Sequence, residues 1–202
     1  MKVRVLSWNI NSVRLRIDSL LSIIKEYRPN VVCIQETKCP NDQYPYEEFH
    51  KVGLKNVHSN GIKGYHGVSI ATDLDVKKVE QKNFCEKRDG RHLALTLNTN
   101  NKPITIHNFY VPAGGDEPDP KINDKFKHKL DFLNEATEWF SSKKNRKNLL
   151  LLVGDLNIAP HENDVWSHKQ LLKIVSHTPI EIKGLNKLQS SYDFIDSIRE
   201  FH

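Results

Sequence analysis

Four apolar runs in this chain each break off directly into an amide or an acid. Residues 3–6 lead to Asn9 and Asn11, and residues 31–34 lead to Gln35 and Glu36. Residues 104–106 lead to Asn108 and Tyr110, and residues 149–153 lead to Gly154-Asp155-Leu156-Asn157. Short apolar runs bounded by turn-forming residues read as buried strands. Ligands of open α/β sheets gather beyond strand ends, where loops converge and a polar side chain need not enter the core. Strands ending this way can bring Asn9, Glu36, Tyr110, Asp155 and Asn157 to one rim.

Between the strands the period changes. Val13, Ile17, Leu20, Leu21, Ile24 and Tyr27 recur at helical spacing, and Arg28-Pro29 stops that helix. Residues 67–72, 93–97 and 103–111 read as further strands, with turns at Asp73-Leu74-Asp75 and over residues 98–101. The proline- and glycine-rich stretch 112–120 reads as an irregular loop. Phe126, Leu130, Leu133, Thr137 and Phe140 then mark one face of a long helix, and Tyr192, Ile195 and Ile198 give the tail, 191–201, a helical spacing. Alternating strands and helices predict an α/β architecture. With no repeat and no composition break, residues 1–202 are expected to form a single domain.

Composition excludes several classes. The 38% hydrophobic and 27% charged content is that of a globular protein. No apolar run approaches the roughly 20 residues that span a bilayer, and the first residues turn polar too quickly for a secretion signal, so no membrane partner and a cytoplasmic location are expected. Cys33, Cys39 and Cys85 form no C-x-x-C pair, which argues against disulfide scaffolding and structural zinc. The net charge of +5 suits a polyanionic partner without requiring one. The basic run Lys143-Lys144-Asn145-Arg146-Lys147 reads as a solvated loop.

Two carboxylates among several amides, with no Cys or His cluster at ligand spacing, suit a hard cation such as Mg2+, which takes one or two carboxylates and fills its shell with water and substrate phosphate. Such an ion would remove the repulsion between bare carboxylates and a phosphodiester. The alternative is that acids and amides at strand ends are solvated turn formers, with Asn9 and Asn157 as caps.

The motifs Ser7-Trp8-Asn9-Ile10-Asn11, Ile34-Gln35-Glu36-Thr37-Lys38, Asn108-Phe109-Tyr110-Val111-Pro112 and Gly154-Asp155-Leu156-Asn157-Ile158-Ala159-Pro160 occur in that order. Together they resemble the successive signatures of the exonuclease III and abasic-endonuclease family, within the DNase I-like superfamily. Gly64-Tyr65-His66-Gly67-Val68 resembles the opening of that family's next strand, and the 110–120 loop with Val165-Trp166-Ser167-His168-Lys169 looks closest to bacterial members. The resemblance implies a DNase I-like four-layer α/β sandwich of two packed mixed sheets flanked by helices. It implies Mg2+, with Mn2+ as a substitute, and double-stranded DNA with abasic sites or 3′ ends as partner, acted on by a monomer.

Carried over position by position, Glu36 would be the principal metal carboxylate, with Asn9 helping to hold the metal site. Asp155 would orient or deprotonate the attacking water. Asn157 would hydrogen-bond the phosphate or a catalytic partner, and Tyr110 would contact the scissile phosphate. Asn11 and Asn108 are the weaker, substrate-binding candidates. The family pattern continues with a W-x-x-Y-R stretch, an R-x-D segment and a terminal S-D-H, none of which occurs here. The expected domain is therefore one incomplete at its C-terminus, without the family's catalytic histidine. His168 reads as structural and His202 only as the last residue. Two alternatives stay open: a non-catalytic DNA-binding remnant, or a DNase I-like enzyme acting on a non-nucleic-acid phosphate ester.

Overall fold

The computed structural model describes residues 2–99, 102–143 and 149–201. The chain groups into two compact units, one of residues 1–110 with 148–155, the other of residues 111–147 with 156–202.

The first unit carries two four-stranded sheets. In chain order it runs β1 (Val5–Asn9), α1 (Ile17–Tyr27), β2 (Val31–Gln35), α2 (Tyr46–Lys51), β3 (Asn56–Asn60), β4 (Val68–Thr72), β5 (Val76–Glu80), β6 (His92–Leu97), β7 (Ile104–Tyr110) and, after the second unit's first stretch, β8 (Leu149–Asp155). One sheet has the order β1-β2-β4-β3 and the other β5-β6-β7-β8. Both are mixed: β1 with β2 and β7 with β8 are parallel, and the remaining pairs are antiparallel.

Strand β2 shows why its sequence is apolar without alternation. All five of its residues are buried. Val32 and Ile34 join Leu20 and Ile24 of α1 and Phe49 of α2 in one core cluster, whereas Val31 and Cys33 join Leu93, Leu95 and Ile106 of the other sheet in a second. Successive side chains on a strand point to opposite faces, so a strand sandwiched between helices and a second sheet needs apolar residues at every position.

Polar bonds register the sheets. Asn108, on β7, is fully buried. Its amide donates to the carbonyls of Ile34 (3.0 Å) and Ser69 (2.9 Å), and its oxygen accepts from Gln35 Nε2 at 2.7 Å. Buried amides satisfied in this way tie two sheets at one level, because shifting either sheet would strand them.

Helix α1 ends as its sequence indicates: Arg28 adopts φ 47° and returns its N–H to the Ile24 carbonyl. It begins later than the periodicity suggests. Val13 lies ahead of the helix, buried, with its N–H on the Thr37 carbonyl at 3.1 Å. Short β3, β5 and α2 have too little apolar patterning to be read in advance.

The second unit contains α3 (Asp124–Ser141), α4 (His168–Leu171), α5 (Pro179–Ser191) and α6 (Ser197–Phe201). Asn123 caps α3 by accepting the N–H groups of Lys125 and Phe126, and Thr178 with Glu181 forms a capping box on α5. The buried face of α3 includes Phe126, Leu133 and Phe140 as expected, but also Lys129. The tail is not one helix. Asp193 takes φ 55° after α5, a left-handed step that breaks the spiral, and Ile195 and Ile198 are exposed. His168 is structural: its Nδ1 lies 2.8 Å from His177 Nε2. Of the basic run at 143–147 only Lys143 lies within the described residues, where its ammonium sits 3.5 Å from the centre of the Trp139 ring. Residues 100 and 101 of the expected turn, and His202, lie outside them. Among the described residues no helix is long and apolar enough to cross a membrane.

Gly154 is the tightest point on β8. It adopts φ 133°, and a Cβ there would fall 2.0 Å from the Phe109 carbonyl oxygen. Gly154→Ala is expected to destabilise the protein by more than about 1 kcal/mol, seen as a lower urea midpoint; an unchanged midpoint would contradict this contact.

Candidate active site

The parallel registers carry the strand ends to one place. Asn9 is paired with Gln35 across β1 and β2, which puts Glu36 one residue beyond that level. Tyr110 is paired with Asp155 across β7 and β8. The Asn9 Nδ2 then bridges the two sheets, donating to Glu36 Oε1 at 2.9 Å and to Asp155 Oδ2 at 2.7 Å. An amide nitrogen has two hydrogens, and here each holds one carboxylate.

Glu36 collects most of the remaining bonds. The Tyr110 hydroxyl donates to its Oε1 at 3.0 Å, and Lys38 Nζ stands 3.0 Å from its Oε2. Burial pushes the Glu36 carboxyl up, but the bonds from Asn9, Lys38 and Tyr110 together with the Lys38 charge outweigh it and hold the group below its ordinary value. Burial and the neighbouring Glu36 carboxylate raise the Tyr110 phenol, so it stays protonated and able to donate. The backbone turns left-handed at Glu36 (φ 52°) and Lys38 (φ 49°), and their segment is fixed by Thr37 N–H on the Gly67 carbonyl and Lys38 N–H on the His66 carbonyl. Non-glycine residues in this region cost energy and persist where surrounding bonds enforce them, often at functional sites.

Asn11 (φ 48°) stands beside this cluster, its Oδ1 accepting from Lys38 Nζ at 2.5 Å. Asn108 does not face a substrate as expected for it. It is wholly enclosed and its amide is spent on Gln35, Ile34 and Ser69, so its role is to register the sheets. Asn157 belongs to the second unit, where its Nδ2 donates to the Val111 carbonyl at 2.9 Å and its backbone takes φ 51°.

The sequence reading missed two contributors. Lys38 was visible, two residues beyond Glu36 in the same motif, but nothing assigned it a task. Arg91 carried no signal, because its role arises from strand pairing. Its guanidinium donates to Asp89 Oδ2 (2.5 Å) and the Tyr110 carbonyl (3.2 Å), and lies 5.0 Å from the Tyr110 ring centre. Arginine can only donate, so His66 Nε2, 3.0 Å away, must accept, which keeps that ring neutral. Burial, then the Arg91 charge, lowers the His66 value in agreement.

Among the described residues no group of three or more His, Cys, Asp or Glu side chains is placed to hold a metal ion. The Glu36 and Asp155 carboxylates, joined by one amide, are oxygen donors of the kind that suits a cation taking one or two carboxylates. Asn9 presents its nitrogen to them, so it serves as the bracket of such a site.

Residues 6–188 match the model of the Endonuclease/Exonuclease/phosphatase family, and the chain belongs to that family. It is 29% identical over 165 residues to exodeoxyribonuclease III of Haemophilus influenzae, an alignment covering 81% of this chain and 60% of that protein. It is 24% identical over 204 residues to an exodeoxyribonuclease of Bacillus subtilis, covering 99% of this chain and 76% of the relative. The solved structure of an AP endonuclease from Archaeoglobus fulgidus superposes with a TM-score of 0.87 at 26% identity, covering 100% of this chain and 75% of that one. The fold is therefore the DNase I-like α/β fold expected. The chain spans 60% of the length of the Haemophilus relative.

The depressed Glu36 value has a sign in stability. Ionised Glu36 stabilises the folded protein above the ordinary glutamate range, and that contribution is lost as pH falls through the depressed value. In EDTA, Glu36→Gln is expected to flatten the acid side of the stability curve; acid denaturation as steep as the parent's would contradict the assignment.

Proposed function

We propose that the protein is a metal-dependent DNA nuclease that hydrolyses phosphodiesters at abasic sites and at 3′ ends. The observation that carries this reading is the Asn9 amide holding the Glu36 and Asp155 carboxylates together, with the Tyr110 hydroxyl and Lys38 ammonium on the same cluster. Membership in the family and the names of the relatives support the substrate class.

Glu36 and Asp155 would hold Mg2+, which when bound polarises the phosphodiester and stabilises the leaving oxygen. The chain's own groups do the rest. Asp155 orients the attacking water and accepts its proton, water adds to phosphorus as the bond to the 3′ oxygen breaks, and that oxygen takes a proton from solvent to become the 3′-hydroxyl. Tyr110, protonated and backed by Arg91, would turn its one hydroxyl hydrogen from Glu36 to a phosphate oxygen. Lys38 offsets the negative charge of Glu36 as the phosphate approaches. Nothing in this set reads bases, so affinity should fall steeply with salt, as phosphate-directed binding does.

Cleavage of a duplex bearing one abasic site, followed on a denaturing gel, tests the reading, with an inositol phosphate assayed in parallel. EDTA should abolish cleavage, and excess Mg2+ should restore it. Glu36→Ala and Asp155→Ala should each lower kcat by about 10²-fold or more while DNA binding in EDTA is kept. Cleavage that survives EDTA would overturn the metal assignment, and turnover of the inositol phosphate alone would overturn the nuclease reading.

A further inference from the structure

Within the first unit the groups around Glu36 close into a circuit of hydrogen bonds. Lys38 N–H donates to the His66 carbonyl at 2.9 Å, and His66 Nε2 accepts from Arg91 Nη2 at 3.0 Å. Arg91 Nη1 donates to the Tyr110 carbonyl at 3.2 Å, and the Tyr110 hydroxyl returns to Glu36, in the same motif as Lys38, at 3.0 Å. Asp89 takes the remaining guanidinium nitrogen, Nε, at 2.5 Å, so all three nitrogens of Arg91 are committed. The Arg91 side chain is 8% exposed, and hydrogen bonds away from water are the stronger ones.

Catalysis must open one bond of this circuit. Tyr110 has a single hydroxyl hydrogen, and giving it to a phosphate takes it from Glu36. In the resting protein the residue is held at both ends. Glu36 holds the hydroxyl, and Arg91 holds the main chain and the ring, with its guanidinium 5.0 Å from the ring centre. Once the hydroxyl turns to the phosphate, the Arg91 side alone carries the position of the phenol. His66 aims that guanidinium, and its own ring stands 5.9 Å from the Tyr110 ring, centre to centre. A lysine in place of Arg91 would keep the charge but not the planar fork of donors.

We propose that His66 and Arg91 are positioning residues for phosphodiester hydrolysis, holding Tyr110 in place while its hydroxyl leaves Glu36 for the phosphate. This rests on the nuclease reading and on the phosphate role of Tyr110 within it. The two residues act through Tyr110 rather than on the substrate, and a small misplacement of such a group costs rate rather than affinity.

The test compares His66→Leu, which removes the acceptor, with His66→Gln, whose amide oxygen can take the Arg91 hydrogen instead. Both replacements meet the same left-handed backbone (φ 49°), so the comparison isolates the acceptor. On abasic duplex DNA, His66→Leu should lower kcat by about 10²-fold and keep KM within about twofold, while His66→Gln keeps kcat within about threefold of the parent. On a Tyr110→Phe background, His66→Leu should cost less than about twofold more, since both changes act through one hydroxyl. A folded His66→Leu protein with the parent kcat overturns the proposal. Equal losses in the Leu and Gln variants, or a full further loss on the Tyr110→Phe background, do the same. Should His66→Leu not fold, Arg91→Lys takes its place with the same expected split, and failure of both to fold marks the circuit as a structural staple and overturns the proposal. Flips of the Tyr110 ring, followed by 13C NMR without substrate, are expected to quicken about tenfold in the folded variant, because the ring loses its fixed neighbour. An inactive parent would refute the nuclease reading alone, and unchanged ring flips would refute the positioning role alone.

Discussion

A single amide nitrogen sets the demands that the rest of the first unit meets. Asn9 Nδ2 gives one hydrogen to Glu36 and one to Asp155, two anions that would otherwise repel each other. Asn9 and Asp155 end strands of different sheets, 146 residues apart in the chain. Their meeting requires the two sheets to be stacked in one register at this end and no other. The buried bonds of Asn108 to Ile34, Ser69 and Gln35 hold that register, and the apolar layer of Val31, Cys33, Leu93, Leu95 and Ile106 supplies the adhesion behind it. Adhesion alone is non-directional and would tolerate sliding; the amides would not.

The core strands were legible because each carries its own signal. A run buried on both faces is apolar at every position, and β2 stands out for that reason; β8 is as apolar in sequence, but its residues are only partly buried and Leu149 is exposed. Helix α1 was legible at its end, where Arg28 and Pro29 act locally, but not at its start, where Val13 is buried by a loop bond to Thr37. Helical spacing cannot distinguish an apolar residue in a helix from one tucked beneath it. Strands β3 and β5 are short and mostly polar, and only pairing with β4 and β6 makes them strands.

The site was legible in its members more than in their division of labour. Asn9, Glu36, Tyr110 and Asp155 meet as the strand-end pattern implies, and Asn11 joins them through Lys38. Asn108 shares the polar strand-end signature and, two residues from Tyr110, the same face of β7, yet it lies one step back from the strand end, enclosed between the sheets where Gln35, Ile34 and Ser69 take its bonds. Arg91 was invisible for the converse reason. Its place under the Tyr110 ring depends on the antiparallel pairing of β6 with β7, a long-range fact that no local pattern encodes.

Positive charge is distributed in the first unit so that it supports the anions without neutralising them outright. Arg91 is enclosed and committed to Asp89, His66 and the Tyr110 backbone, so it acts on the phenol's position. Lys38 is about one-third exposed and bonds Glu36 and Asn11 on a flexible stem, so it is able to shift when a more highly charged group arrives. A cation that yields is what two facing carboxylates need if they are first to stay folded together and then to take up a divalent ion. Had the buried guanidinium been the partner of Glu36, the pair would have been harder to open. Putting the rigid arginine behind the tyrosine and the mobile lysine on the glutamate lets one cluster be well positioned and still receptive.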